Sequence, residues 1–388
     1  MCENPRYLYF FTRNIYDCSY KITENNTAKE EIMKKIIFTG GGSGGHVTLN
    51  LGLIPLFLQA GWKVIYIGSK TGIENELIKK IDGVKYYAVA TGKLRRYFSW
   101  ENFKDAIRVP LGVIEAWNII RKEKPDVIFS KGGFVSFPVV FGGWLNGVKR
   151  IYMHESDVTP GLANKMSLPF VSTFFTTFAD TSDYVSDKSK VRCVGPVMTD
   201  RLENGDAEKA RDLCNFKTEK PVLMFVGGSL GAKSINNAVI KNLEALLEKY
   251  QIIHICGKGQ TTLARCEGYA PFEFVDKEFK DMMALADVVI SRSGSNAIFE
   301  LLSQKKPMLL IPLPSTSSRG EQTLNAKSFQ KQGFAEILPD NQVEEGLLKA
   351  VDNVFDYRQE YVTNMENSVW KRTSNQELFE EICNDANL

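Results

Sequence analysis

The chain has 388 residues, 44% of them hydrophobic and 24% charged, with a formal net charge of +2. That length exceeds one ordinary core and predicts two domains, while the balanced charge excludes a protein that binds nucleic acid through overall charge. Seven cysteines (Cys2, Cys18, Cys193, Cys214, Cys256, Cys266, Cys383) are scattered and never spaced C-x-x-C, which predicts reduced thiols over a disulfide frame or a zinc site.

Residues 1–32 carry an aromatic run, Tyr7 to Phe11, and then polar residues, without the long apolar segment or small-residue cleavage site of a secretory signal. Met33 directly precedes KKIIFTGGG, so residues 1–32 read as an extension that is disordered or not native. From Lys34 to Val47 the chain reads strand, glycine-rich turn, helix, with five glycines within six residues. Such a turn lets backbone N–H groups approach an anion, and the helix N-terminus adds partial positive charge there.

Gly40, Gly42 and Gly45 formally satisfy the dinucleotide pattern G-x-G-x-x-G, which calls for an acidic residue at the end of the next strand. Here that strand ends Tyr66-Ile67-Gly68-Ser69 and Glu74 comes only after a further turn, which argues against a nicotinamide enzyme. His46 closes the glycine turn. The helix dipole disfavours its protonated form, which suits a general base; helix capping or packing on the sheet is the competing reading.

Further strands are expected at Lys63–Gly68, Tyr86–Ala90, Asp126–Ser130, Arg150–His154, Thr173–Thr177 and Val191–Val194, with helices between most of them. This alternation predicts a parallel sheet covered on both faces. The longest uncharged run, Gly132 to Val148, contains five glycines and Pro138 and falls short of the ~20 apolar residues of a membrane span. The pattern pauses at Gly195–Pro196, and we place a first domain at 33–196.

A second start follows. Pro221–Phe225 leads into VGGSLGAKSIN and an amphipathic helix, and strands recur at Ile252–Cys256, Phe272–Val275, Val288–Ser291 and Met308–Ile311. We assign a second domain to 197–358 and a closing segment to 359–388, with one helix from about Gln359 to Cys383 that could return to the first domain. The fold class is α/β, with two Rossmann-like, doubly wound parallel sheets facing across a cleft; in such sheets ligands bind beyond the carboxyl ends of the strands.

Two clusters in the second domain suit a sugar nucleotide. In Ser291–Glu300 (SRSGSNAIFE) the turn could hold a phosphate and Glu300 a ribose diol, against the alternative of helix capping and a solvated acid. In Arg319-Gly320-Glu321-Gln322, with Asn325, the Glu and Gln side chains suit sugar hydroxyls, or simply a solvated loop. Gly227-Gly228-Ser229 makes a second anion-friendly turn.

Taken in order, GGGSGGHV, SKGGFVSFP (Ser130–Pro138), HESDVTPGLANK (His154–Lys165), GGSLGAKSIN (Gly227–Asn236), SRSGSNAIFE and SRGEQTLNA (Ser318–Ala326) resemble the MurG family from about Met33 almost to the C-terminus. That family comprises bacterial N-acetylglucosaminyltransferases that convert lipid I to lipid II in peptidoglycan synthesis. The resemblance implies a GT-B transferase that inverts the sugar linkage and needs no cofactor; a loosely bound Mg²⁺ is compatible with it, but the sequence offers no metal site.

By matching positions, the resemblance implies that Glu300 binds the ribose of UDP-GlcNAc and that Ser295, Asn296 and Ala297 meet its diphosphate. Ser229 and Asn236 would border the donor, Arg292 would brace the cleft and share the leaving-group charge, and Val275 would lie beside uracil. Glu321 and Gln322 would read GlcNAc hydroxyls, and Ser43, Gly44 and Gly45 would close over the diphosphate. His46 would be the base for the acceptor hydroxyl, with Phe134, His154, Glu155 and Asp157 on the acceptor side.

Three departures stand out. The family turn HVxP is His46-Val47-Thr48-Leu49 here, the junction arginine after Gly-Asn-Pro is absent unless Arg201 substitutes, and Asp157 stands where Asn is common. The lipid acceptor implies work at the cytoplasmic face of the cell membrane as a peripheral protein. Lys93, Arg95, Arg96, Phe98, Trp100 and Phe103 interleave cations with aromatics, as an anchor to an anionic membrane surface would, although an ordinary loop could share that composition. The competing functions are another GT-B lipid transferase, for example on diacylglycerol, and a sugar-nucleotide-binding regulator without turnover. No nucleic-acid partner is expected.

Overall fold

The computed structural model describes residues 33–42, 44–92, 100–228, 231–260, 264–314 and 318–386, with 100–107 described as backbone alone. Ser43, Ser229, Lys93, Arg95, Arg96 and Phe98 lie outside the described residues.

Strands β1 (Lys35–Thr39), β2 (Lys63–Gly68), β3 (Val84–Ala88), β4 (Val127–Ser130), β5 (Arg150–Glu155), β6 (Thr173–Thr176) and β7 (Val191–Cys193) form one sheet in the order 3-2-1-4-5-6-7. Every neighbouring pair in it is parallel. Both faces are covered, which is why β1, β2 and β4 read as unbroken apolar runs rather than alternating ones. The covering helices are α1 (Gly45–Gln59), α2 (Ile73–Ile78), α3 (Trp100–Glu123), α4 (Ser136–Leu145) and α5 (Leu162–Ser167).

The second sheet contains β8 (Val222–Val226), β9 (Gln251–Ile255), β10 (Tyr269–Phe272), β11 (Val288–Ser291), β12 (Met308–Leu310) and β13 (Ala335–Ile337), parallel throughout, in the order 10-9-8-11-12-13. Its helices are α6 (Ala207–Cys214), α7 (Lys233–Lys241), α8 (Leu243–Lys249), α9 (Phe279–Leu285), α10 (Ser295–Ser303), α11 (Glu321–Lys331) and α12 (Val343–Asp356). The chain closes with α13 (Arg358–Glu366) and α14 (Asn375–Asp385).

Three differences from the sequence reading have physical causes. Strand β10 lies three residues earlier than expected, because Pro271 is tolerated on an edge strand while Glu273 and Phe274 turn outward. Strand β13 is a three-residue edge strand, too short to leave a pattern. The single closing helix expected over 359–383 is two helices, interrupted where Thr373 meets the domain junction.

That junction is a double crossing. Val197 forms a parallel bridge with Thr373; Met198 N donates to Thr373 O at 3.0 Å and Thr373 N to Pro196 O at 2.9 Å. The returning chain places α14 on α1, where Leu378 and Ile382 join the first core and Phe379 packs edge-on to Phe57 at 4.8 Å. Helix α1 is therefore buried on both sides, which explains its weak amphipathic pattern.

Each sheet reverses its strand order once, between β1 and β4 and between β8 and β11. The crevices at those reversals, beyond the carboxyl ends of the strands, are where the fold places ligands.

Candidate active site

In the first crevice the glycine turn is held from three sides. The Tyr66 hydroxyl donates to Gly40 O at 2.7 Å, Gly41 N to Gly132 O at 3.3 Å, and Gly42 N to Glu74 Oε2 at 3.2 Å. Glu74 is fully buried and also accepts from Ser69 N and Ser69 Oγ at 3.1 and 2.5 Å. Glu74, the first acid after β2, is thus spent on shaping the turn. Gly44 and Gly45, at the start of α1, face open space and present backbone without Cβ atoms.

His46 sits in the first turn of α1 with Nδ1 3.2 Å from Gly41 O. A carbonyl only accepts, so Nδ1 carries the proton and Nε2 is the basic nitrogen. The imidazole is pulled down to about 4, by burial first and then by the Lys131 ammonium. Burial thus takes the part that the sequence assigns to the helix dipole.

The loop after β5 faces the second domain. Glu155 is buried and accepts from Ser156 N (3.0 Å), Asp157 N (3.2 Å), Gly161 N (2.8 Å) and Asn164 Nδ2 (3.0 Å), so it shapes this loop rather than offering itself to a ligand. His154 is buried as well, with Nδ1 3.0 Å from Lys131 Nζ, and burial holds it well below the usual imidazole range. Asp157 meets Arg319 NH2 at 2.5 Å and Asn325 Nδ2 at 3.0 Å. Both partners come from the other domain, and Arg319 balances the charge that Asp157 brings in place of Asn.

More contacts join the domains here. Ser295 Oγ donates to Ser156 O at 2.5 Å, Val158 N to Asn325 Oδ1 at 3.0 Å, and Ser328 Oγ to Asp180 Oδ2 at 2.8 Å. Phe178 packs on Phe299 at 4.9 Å, extending the second core across the junction.

A cavity of about 400 Å³ opens beside this seam. His46, Glu155, Asp157, Asn164, Arg319 and Glu321 line its polar end, and Val109, Phe134, Phe137, Pro138, Leu162 and Met166 its apolar flank. Phe134 also packs against Gly42, where a side chain would collide with its ring.

In the second crevice Ser295, Asn296 and Ala297 form the first turn of α10, whose N-terminal N–H groups suit a phosphate. Burial raises the Glu300 carboxyl on the same helix, against the pull of Arg201, whose NE donates to Glu300 Oε1 at 3.1 Å and whose NH2 pairs with the same oxygen. The arginine at issue in the junction therefore meets the residue expected to hold the ribose. Glu321 Oε2 accepts from Arg319 N at 3.0 Å, and Gln322 Oε1 from Leu313 N at 3.1 Å. Val275 follows β10 as a partly buried residue against the second core.

One expected donor contact is corrected. The Asn236 side chain is buried: Nδ2 donates to Cys256 O at 2.9 Å and Oδ1 accepts from His254 Nε2 at 3.0 Å, so it shapes the β9 end instead of bordering the donor. Arg292 donates to Ile311 O, Pro312 O, Asp340 Oδ1 and Ser234 Oγ at 3.0, 3.3, 2.6 and 2.9 Å. These bonds hold the guanidinium within the second domain, with buried Nε left unpaired among the described residues. At the place of the HVxP proline, Leu49 lies in the second turn of α1 and is buried in the core.

Residues 36–176 match the glycosyltransferase family 28 N-terminal domain and residues 222–382 its C-terminal domain. The UDP-N-acetylglucosamine–N-acetylmuramyl-(pentapeptide) pyrophosphoryl-undecaprenol N-acetylglucosamine transferase of Geobacillus thermodenitrificans is 52% identical over 86% of this chain and 94% of its own length. The enzyme of the same name from Geobacillus kaustophilus is 54% identical, again over 86% and 94%. The chain belongs to the MurG family.

A crystal structure of Acinetobacter baumannii MurG shares the fold, with a TM-score of 0.69 at 21% identity, covering 90% of this chain and 99% of that one. Within the MurG frame, Lys131 and Arg319 are the residues that sequence reasoning quoted but left without a role. Lys131 follows β4 at the strand-order reversal, a position that would have singled it out had the sheet order been known. Arg319 offered no such signal, because its partner Asp157 is 162 residues away. Among the described residues no three His, Cys, Asp or Glu side chains converge on a metal position, and no helix is long and apolar enough to cross a membrane.

Proposed function

We propose that the chain is an inverting transferase that moves GlcNAc from UDP-GlcNAc to the C4 hydroxyl of MurNAc in lipid I, giving the β-1,4 linkage of lipid II. The observation that carries this reading is the meeting of the two crevices. The phosphate-ready N-terminus of α10 is one hydrogen bond, Ser295 to Ser156, from the loop that lines the cavity holding His46.

His46 Nε2 takes the proton of the acceptor hydroxyl as its oxygen bonds to the anomeric carbon. The bond from that carbon to the β-phosphate oxygen breaks on the opposite face, its electron pair leaves with UDP, and one displacement inverts the centre. N–H groups at the start of α10 receive the developing charge, and the reading requires no resident cofactor. Glu300 binds the ribose once the diol shares or displaces Arg201.

The test is transfer of labelled GlcNAc to a lipid I analogue, with diacylglycerol as the control acceptor; binding of UDP-GlcNAc without transfer overturns the reading. Glu300→Ala is expected to weaken UDP-GlcNAc binding by about 10-fold or more in isothermal titration, since hydrogen bonds to a charged group are lost. An unchanged Kd would remove Glu300 from the donor site.

The same reading places the protein peripherally on the cytoplasmic face of the membrane. Trp100 and Phe103 of the expected anchor fall in the opening turns of α3, in the part described as backbone alone. Further along, α3 exposes Leu111 and Ile114, and α4, packed against it, exposes Trp144 and Leu145, with Lys149 exposed just beyond. An apolar ledge of this kind beside a basic residue suits the acyl boundary of an anionic bilayer. Trp144→Ser with Leu145→Ser should cut co-sedimentation with phosphatidylglycerol vesicles several-fold, and wild-type binding would count against the ledge.

A further inference from the structure

We propose that Lys131 is a positioning residue for the transfer reaction: its buried ammonium keeps His46 in the neutral, proton-accepting form and anchors the His154–Asp157 loop that meets the donor crevice. This rests on His46 being the base.

The geometry begins with two turns stitched together at the first crevice. Lys131 N donates to Thr39 O at 2.9 Å and Gly41 N to Gly132 O at 3.3 Å, so the turn after β4 lies against the glycine turn. A Cβ on Gly40 would lie 3.1 Å from Lys131 Cβ, and one on Gly133 would lie 3.1 Å from His46 Nδ1. Lysine and histidine thus sit in facing turns, with glycines allowing the approach.

Lys131 is 4% exposed, and among the described residues its Nζ contacts only neutral groups, His154 Nδ1 at 3.0 Å and Ser156 Oγ at 2.6 Å. No carboxylate lies within ion-pair distance of Nζ among the described residues. The other charges around His46 are already committed. Asp157 is paired with Arg319 at 2.5 Å, Glu155 accepts four N–H groups, Glu74 is bonded beneath the glycine turn, and Glu321 accepts from Arg319 N at 3.0 Å. Among the described residues Lys131 is therefore a cation without a bonded counter-ion, supported only through space by Glu155 and Asp157, and a like charge disfavours imidazolium. Burial pulls Lys131 itself down only to about 8, so it remains charged at neutral pH.

Ser156 extends the effect. Its hydroxyl accepts from Lys131 and its carbonyl accepts from Ser295 Oγ, so one loop residue connects the buried cation to the start of α10.

The test follows the ¹⁵N-labelled His46 imidazole by NMR, assigned with His46→Gln, alongside the pH profile of kcat/KM. In the wild type His46 is expected to stay neutral down to about pH 5. Lys131→Met should raise its titration midpoint by about 1 pH unit or more, and the acid limb of kcat/KM with it. Lys131→Arg, which keeps the charge, should restore both. Lost activity with an unmoved His46 titration would reduce Lys131 to a loop prop and overturn the proposal. So would a wild-type His46 titrating near 6.5, a measurement that stands even if Lys131→Met does not fold. Failure of the premise is read separately, since His46→Ala with wild-type kcat removes the base assignment whatever the titration shows.

Discussion

Replacing His46 by alanine should lower kcat by about 10²–10⁴-fold while UDP-GlcNAc binds almost as before, since general bases typically contribute that much and act in the transition state. The Gly41 carbonyl fixes the Nδ1–H tautomer and leaves Nε2 as the basic nitrogen. Burial and Lys131 then keep the imidazole neutral across the physiological range. The donor, on the reading given, is held by α10 and Glu300 in the other domain, so the loss falls on turnover. Single-turnover transfer beside isothermal titration separates the two terms, and a kcat equal to wild type would remove the base.

The second large effect is on stability. His46 and His254 are both pulled down to about 4, and His154 well below its usual value, in each case chiefly by burial. Each is neutral when folded and binds a proton near 6.5 when unfolded. The unfolded chain therefore holds more protons as pH falls from 6.5 towards 4, and folding stability declines through that window. Three sites at about 1.4 kcal/mol per pH unit each give a limiting slope of about 4 kcal/mol per unit, large beside the roughly 5–15 kcal/mol stability of a typical domain. Glu300, raised by burial, opposes this with a single proton. Urea unfolding at pH 7, 6 and 5 measures the slope; a flat profile would mean that the histidines are not buried neutral.

His254 shows how little a sequence reveals about such groups. In the chain it is one apolar-flanked residue of a strand, yet its ring is held between Tyr269 OH and Asn236 Oδ1, both at 3.0 Å. The same network turns Asn236 away from the donor, which its place in a glycine-rich motif could not indicate. Arg292 is likewise fixed by distant groups: the motif puts it in the cleft, and the chain after β12 with Asp340 then holds its NH1.

What the sequence determined by itself was local. Two α/β halves, each opening with strand, glycine turn and helix, were legible because apolar runs, turn residues and helix starts are set by neighbours a few positions apart. His46 at one turn and Ser295 to Glu300 at the other followed from the same patterns. Tertiary structure alone decided which polar groups remain available for chemistry. Glu74 is spent on the glycine turn and Glu155 on its own loop, Asp157 is matched by Arg319, Arg201 reaches Glu300, and Lys131 is enclosed beside His46. Each outcome depends on partners brought together by the order of strands and the crossing at Val197 and Thr373. A buried charge takes its character from its surroundings, and those surroundings come from distant parts of the chain.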